Sequence, residues 1–408
     1  MHVIIVADHA YINGGQAKVS IESALGLAAA GHDVTYFAPC GPPDGRLAAA
    51  GVEVVCLGQG DVTNTPTLAF LRQTMWNTLA HDALQKLLAR APRGKTVVHV
   101  HAWAKAASAS IAPPLITSGL PRVYTFHEYF LVCPTGGFYD FRRHEPCARV
   151  PLSLSCISTN CDARTYPRKL MRILRQKIVE HVGLHEAFRH VITISDLQRA
   201  RIASLMPKET IWHHVDNPVD AEDLGPKAQA GQEFLFVGRL SPEKGVVHFL
   251  AAARRAGIVP LIAGDGPQMA DLAAAYPEAR FLGWQSPAQV RNLMRQARAL
   301  VFPSVWMEGQ PLTVREALAV GTPVIVSDAC AGREAIENGT NGLWFRSADE
   351  ADLARAITQL SDQVTADRMT SAAYARYWSD PLTLARHVRH LETIYAQLLS
   401  EGGNTMVA

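Results

Sequence analysis

Along this chain, short unbroken apolar runs alternate with longer stretches in which apolar residues return at i, i+3 and i+4. VIIVA (3–7) precedes GGQAKVSIESALGLAAAG (14–31), and DVTYFAP (33–39) follows. VEVVCL (52–57), TVVHVH (96–101), RVYTFH (122–127) and VITIS (191–195) are further short runs, while TPTLAFLRQTMWNTLAHDALQKLLAR (65–90) has helical spacing throughout. Apolar runs between helices predict a parallel sheet covered on both faces. A polar Gly/Pro-bearing stretch, 219–232, reads as a linker. The alternation has already restarted after 217, with strands predicted at 234–238, 259–264, 279–283, 299–304 and 323–327. The predicted fold class is therefore α/β: two doubly wound, Rossmann-like domains facing each other across a cleft. The first comprises residues 1–218, the second 219–377, and the amphipathic segment 379–400 adds a final helix.

Composition changes this picture little. A chain of 408 residues, 48% hydrophobic and 19% charged, suits two globular domains with sizeable cores. A net charge of +2 gives no global reason to expect nucleic acid. The N-terminal MHVIIVADHA is quickly polar and reads as a strand rather than a signal peptide. No run reaches the ~18 apolar residues of a membrane span, so the expected compartment is the cytosol.

The chemistry-bearing residues gather just after strands, where open parallel sheets bind ligands. In FPSVWMEGQPLTVREALAVG (302–321), Glu308 lies in the loop after a strand and Glu316 in a helix running roughly 311–320, with Pro311 suited to its first position and Gly321 to its stop. The free N–H groups at that helix start favour an anion. A carboxylate near a phosphate repels it unless it binds hydroxyls instead, so a ribose diol suits Glu316 and a sugar hydroxyl Glu308. In FVGRLSPEKG (236–245) a strand ends at Gly238, and Arg239 and Lys244 flank a turn; two cations there balance a diphosphate without metal. Gly264, Asp265 and Gly266 form a turn after the next strand, their glycines allowing close backbone approach. Gly283 and Trp284 follow the strand after that, offering an edge for a base. Gly14 and Gly15 follow the first strand without forming the G-x-G-x-x-G fingerprint, and His127 ends a strand of the first domain.

FVGRLSPEKG, AGDGP, a strand with Leu-Gly, and FPSxxxEG…EALAxGTPVIxSD, in this order and spacing, resemble the retaining nucleotide-sugar glycosyltransferases of the GT-B fold, the large bacterial group with the Glu-x7-Glu motif (family 4, group 1). The resemblance runs over nearly the whole chain and is strongest over 234–345. It implies that Arg239 and Lys244 hold the donor diphosphate and that Glu316 binds the ribose. Glu308, with the backbone of Gly309, Gln310, Pro311, Leu312 and Thr313, would contact sugar and phosphate. His127 would touch the sugar near the reacting centre, and the Gly14–Gly15 loop would close over the phosphates. The resemblance also implies that residues 378–408 cross back onto the first domain. The partners expected are a UDP- or GDP-sugar donor and a glycan or lipid-linked glycan acceptor, with no catalytic metal and no nucleic acid. One departure is Glu308-Gly309-Gln310-Pro311 where the family often has Glu-Gly-Phe-Gly; an amide in place of an aromatic wall bears on the donor sugar. A nucleotide-sugar 2-epimerase of the same fold, a phosphorylase, a soluble small-molecule glycosyltransferase and a non-catalytic carbohydrate-binding protein are the competing readings.

Two features lie outside the motif. The irregular stretch 127–164 holds Cys133, Cys147, Cys156 and Cys161 at spacings unlike a paired C-x-x-C ribbon. Reduced thiols packing a loop, a structural zinc and a disulfide are its three readings. The segment 163–183 carries Arg164, Arg168, Lys169, Arg172, Arg175 and Lys177 among apolar residues. It is expected either to rest on an anionic membrane surface or to be the solvated face of a core helix.

Overall fold

The computed structural model describes residues 1–61 and 73–404. In the first domain strands β1 (His2–Val6), β2 (Asp33–Cys40), β3 (Glu53–Gln59), β4 (Thr96–Val100) and β5 (Arg122–Thr125) are followed by a two-residue hairpin, β6 (Tyr139–Asp140) and β7 (Glu145–Pro146). β8 (His190–Thr193) and β9 (Ile211–His214) come next. Seven of these form one parallel sheet in the order β3-β2-β1-β4-β5-β8-β9. The second domain has β10 (Phe234–Val237), β11 (Leu261–Ala263), β12 (Arg280–Gly283), β13 (Ala299–Phe302), β14 (Val324–Ser327) and β15 (Gly342–Phe345) in the order β12-β11-β10-β13-β14-β15. The order reverses between β1 and β4 in one sheet and between β10 and β13 in the other. A reversal leaves a crevice beyond the strand ends, where ligands bind.

The apolar runs work as the pattern requires. Ile4 and Val6 face the helix Thr78–Arg90, while Val3 and Ile5 point the other way, toward helix α1 (Gly15–Ala29). The latter face is completed from far along the chain. Val388, Leu391, Ile394, Tyr395 and Leu398 of the last helix join Ile21, Ala24 and Leu27 of α1 over β1 and β2. The chain crosses between domains twice, side by side: the Val219 amide donates to the Leu382 carbonyl at 2.8 Å.

Some expectations need correction. The predicted helix 65–90 is interrupted at Trp76 and Asn77, because the Asn77 side chain accepts from the Ala80 amide and starts a new helix at Thr78; residues 62–72 lie outside the described residues. The edge strands β9 and β15 were not expected: β9 ends in two histidines, and β15 opens on Gly342 directly after the turn-like Asn338-Gly339-Thr340-Asn341. The six cations of 163–183 do not share a solvent face. On α2 (Tyr166–His181), Lys169 and Arg175 are buried, the latter giving hydrogen bonds to the carbonyls of Ala104 and Pro134, and Arg172 is paired with Asp162 at 2.7 Å. What α2 exposes includes Arg168, Lys177 and two leucines, Leu170 and Leu174. Among the described residues no helix is long and apolar enough to cross a membrane.

Candidate functional site

The two crevices face each other, and the expected residues collect on their walls. After β13 the loop 303–311 leads into α3 (Leu312–Ala319), whose start is the Pro311 position. Pro311 is the cap rather than the first helical residue (φ −71, ψ 113), which still leaves the N–H groups of Leu312 and Thr313 at the open end of the helix. Gly321 takes a left-handed φ of 72 just beyond its end, as a helix stop requires.

Glu308 and Lys244 meet here. Lys244 Nζ lies 2.9 Å from Glu308 Oε2 and 5.7 Å from the centre of the Trp306 ring. The second oxygen, Oε1, is buried with no hydrogen-bond partner. A buried carboxylate oxygen left unpaired costs about 1–3 kcal/mol, so this atom is poised for a donor group that a ligand hydroxyl would supply. Arg239, by contrast, is exposed and its guanidinium makes no hydrogen bond or ion pair among the described residues. Glu316 is half-buried on the next turn of α3; burial pushes its carboxyl up, and Lys18 of α1, across the cleft, pulls against that shift. The Gly14–Gly15 loop, from which α1 starts, borders a cavity of about 120 Å³ with Asp8, His9, Lys105 and Glu128 on its walls.

His127 stands at the end of β5. Its Nε2 is 3.0 Å from His101 Nδ1, and the rings stack at 5.2 Å. Burial pushes its pKa down to about 3, aided by the nearby His387, so the ring is neutral near pH 7. The glycines of AGDGP do allow a close backbone approach, here between two loops of the second domain. A Cβ on Gly264 (φ 147) would lie 1.8 Å from the Gly238 carbonyl. The glycines of AGDGP thus let two strand-end loops touch each other, and Asp265 binds its neighbours, its carboxylate accepting from Gly266 N and its carbonyl from Leu240 N. Gly283 adopts a left-handed φ of 67 and Trp284 beside it is 73% exposed, forming no base-binding wall as it stands. Gly309 has no room for a side chain, since a Cβ would lie 2.9 Å from Gln198 Nε2 of the first domain. The Gln310 side chain points to the interdomain crossover, bonding Asp216 and Asn217.

The four cysteines of the long loop are free thiols, and the Lys169 ammonium sits among them, 3.1 Å from Cys161 and 3.6 Å from Cys156. Among the described residues no group of His, Cys, Asp or Glu is placed to hold a metal ion. Cys133, Cys147, Cys156 and Cys161 are unbridged, and two of them, Cys156 and Cys161, pack against the buried Lys169. The loop itself reaches the site: Trp306 Nε1 donates to the Gly137 carbonyl at 2.6 Å, and the Tyr129 hydroxyl to the Met307 carbonyl at 3.1 Å. Sequence reasoning missed this contact, together with Lys18, His101 and Asp216. His101 had a signal, the HVHAW run at the end of a strand; the others depend on how the two domains meet.

Comparison with known proteins agrees with this geometry. Residues 13–223 match the model described as Glycosyltransferase Family 4, and residues 225–376 the one described as Glycosyl transferases group 1. The chain is 36% identical over 160 residues to a glycogen synthase of Mycobacterium tuberculosis (strain CDC 1551 / Oshkosh), which spans 36% of this chain and 38% of that protein. It is 28% identical over 175 residues to the UDP-Gal:alpha-D-GlcNAc-diphosphoundecaprenol alpha-1,3-galactosyltransferase of Escherichia coli, spanning 36% and 44%. The chain thus spans less than half the length of these first curated relatives. Among solved structures, Anabaena Alr3699/HepE in complex with UDP superposes with a TM-score of 0.67 at 16% identity, covering 97% of this chain and 100% of that one; the likeness is one of fold.

Proposed function

We propose, because this chain belongs to glycosyltransferase family 4 with a group 1 second half, that it transfers a hexosyl or N-acetylhexosaminyl group from a nucleoside-diphosphate sugar to a hydroxyl of a glycan or glycolipid, with retention of configuration. The observation that carries the reading is the Lys244–Glu308 pair at the second domain's switch point, with Glu308 Oε1 buried and unpaired. A sugar hydroxyl is the natural donor to that oxygen, and the diphosphate is the natural partner for Lys244 and the unengaged Arg239. UDP is the favoured nucleotide: the Escherichia coli relative is named for UDP-Gal, and the Anabaena protein was solved with UDP.

In this reading the developing charge on the leaving diphosphate is met by Arg239, Lys244 and the N–H groups at the start of α3, the fixed electrostatic term that usually dominates such transfers. Glu316 holds the ribose. Neutral His127 accepts from or donates to the sugar near the reacting carbon, held in orientation by His101. Domain approach sets acceptor and donor in near-attack geometry. The acceptor lies on the first domain beside the loop 127–164. In surface polysaccharide synthesis at the inner face of a membrane, that acceptor is a lipid-linked glycan. A thermal-shift panel of UDP-, GDP- and ADP-sugars tests the donor: stabilisation by a UDP-sugar, lost in Lys244→Ala, is expected. Equal indifference to all three would remove the reading.

A further inference from the structure

Gln310 stands where the resembling family often has an aromatic residue, and the transfer proposed above makes no use of its amide. Its surroundings explain it differently. The Gln310 Nε2 donates to Asp216 Oδ1 at 2.6 Å, and its Oε1 accepts from the Asn217 amide at 2.6 Å. Both partners belong to the first crossing between domains, just past β9. One side-chain amide therefore makes a two-point junction with the hinge, while its own backbone lies two residues from Glu308.

The residue it grips is itself fixed from several elements. The Asp216 carboxylate faces Arg386 Nη2 at 3.5 Å from the last helix, His214 Nε2 at 3.6 Å from β9 and Arg315 Nη2 at 3.9 Å from α3. Its carbonyl accepts from His387 Nδ1 at 2.8 Å, and His387 Nε2 is 2.9 Å from Ser23 Oγ on α1. A continuous hydrogen-bonded path thus runs from α1, the helix that carries the Gly14–Gly15 loop, through His387 and Asp216 to Gln310. The last step to Glu308 has little slack. Proline fixes φ at position 311, Gly309 is packed against Gln198 and Ile194, and the Glu308 carbonyl accepts from Ala331 N at 3.0 Å.

We infer that Gln310 is a positioning residue that ties the donor loop to the interdomain crossover, so that the angle between the domains and the placement of Glu308 change together. This deepens the donor-site reading and rests on it for its catalytic meaning. The mechanical link itself is defined without any ligand. A side chain that merely satisfied its own polarity would need one partner. This one joins an acceptor and a donor on consecutive residues of the hinge, and that hinge is anchored on both domains.

The test uses the full chain and two substitutions. Gln310→Leu removes both bonds. Gln310→Glu keeps the shape and the acceptor for Asn217 but sets a carboxylate against Asp216. Small-angle scattering without ligand should show a larger radius of gyration for both variants than for the wild type, with unchanged circular dichroism; radii equal to the wild type in both variants overturn the inference. In calorimetry with UDP, Gln310→Leu should hold affinity within about threefold of wild type, about 0.65 kcal/mol, whereas Lys244→Ala should lose far more. A loss in Gln310→Leu as large as in Lys244→Ala makes Gln310 a direct donor contact and also overturns the inference. If wild type ignores UDP, the donor-site reading falls, while the scattering comparison still decides the link. With an active donor, kcat should fall about tenfold, with the donor KM nearly unchanged, as expected when geometry rather than binding is lost.

Discussion

Lys244 and Glu308 hold each other at 2.9 Å through Oε2, while Oε1 is left without a partner. This gives the two substitutions different signatures. Lys244→Ala removes a charge-assisted contact and leaves Glu308 buried alone; UDP binding measured by calorimetry should weaken by about 1.5–3 kcal/mol. Chelator should leave turnover untouched; turnover abolished by chelator would mean that a metal carries the diphosphate charge. Glu308→Gln keeps the shape beside the reacting sugar and should act mainly on kcat. Glu316→Gln is remote from the reacting carbon and should act mainly on donor affinity. Equal losses confined to KM in both glutamine variants would count against the two assignments. At this scale the sequence was most informative. The local settings of Glu308, Glu316, Arg239 and Lys244 were legible because strand, loop and helix follow one another there at short spacing. The contacts of Gln310 were not legible because its partners, Asp216 and Asn217, lie more than ninety residues away, and no local pattern announces a contact to a hinge.

Among the elements, the central strands were legible because both of their faces are buried and they read as unbroken apolar runs. The edges β9 and β15 were not: IWHH mixes polar and apolar residues, and GLWF follows directly on the turn-like Asn338-Gly339-Thr340-Asn341. Helix α2 shows the opposite failure: a charge pattern suggested one solvent face, but tertiary packing spent Lys169 on thiol sulfurs and Arg175 on carbonyls. The remaining surface is Arg168, Lys177, Leu170 and Leu174, with Lys177 also paired to Glu180. Each exposed cation near an anionic surface contributes about 1 kcal/mol, so on the proposed membrane docking charge alone would attach the helix weakly and the leucines would have to supply the rest. Co-sedimentation with anionic vesicles should therefore fall more in Leu170→Ser/Leu174→Ser than in Arg168→Glu. A wild type that stays in the supernatant at low salt makes a soluble acceptor the better assignment. For the last helix, Leu391→Ala should lower stability by about 2–5 kcal/mol, read as an earlier thermal transition of the first domain, because Leu391 is fully buried against the first sheet.

Over the whole molecule, neutral histidines set the response to acid. Burial pushes His127 down to about 3 and His213 and His387 to about 4. In the unfolded chain each titrates near about 6.5. Above that value neither state binds a proton and these groups leave stability unchanged. Below it the unfolded chain takes up protons that the folded chain refuses, so stability falls as pH drops from about 6.5 toward 4. Denaturant midpoints at pH 7, 5.5 and 4.5 should decrease in that order, and His387→Gln, which keeps polar contacts without a titrating ring, should flatten the decline. A midpoint independent of pH over this range would contradict the burial of these rings.

The second domain is an insertion, in topological terms, within the first: the chain leaves after β9, builds an entire second sheet, and returns to lay its last helix on β1 and α1. During synthesis this imposes a delay. Val3, Ile5 and Tyr36 emerge early with α1, yet the helix that completes their cover begins at Leu384. At about 5–20 residues per second, the roughly 170 residues between His214 and Leu384 occupy on the order of ten to thirty seconds. Throughout that interval one face of a nearly finished sheet is covered only in part, by α1, on the ribosome. A transcript stopped just before Leu384 should thus yield a protein whose second domain folds, by limited proteolysis, while its first domain is cut readily and recruits chaperones. The same stop placed after Glu401 should yield resistant material.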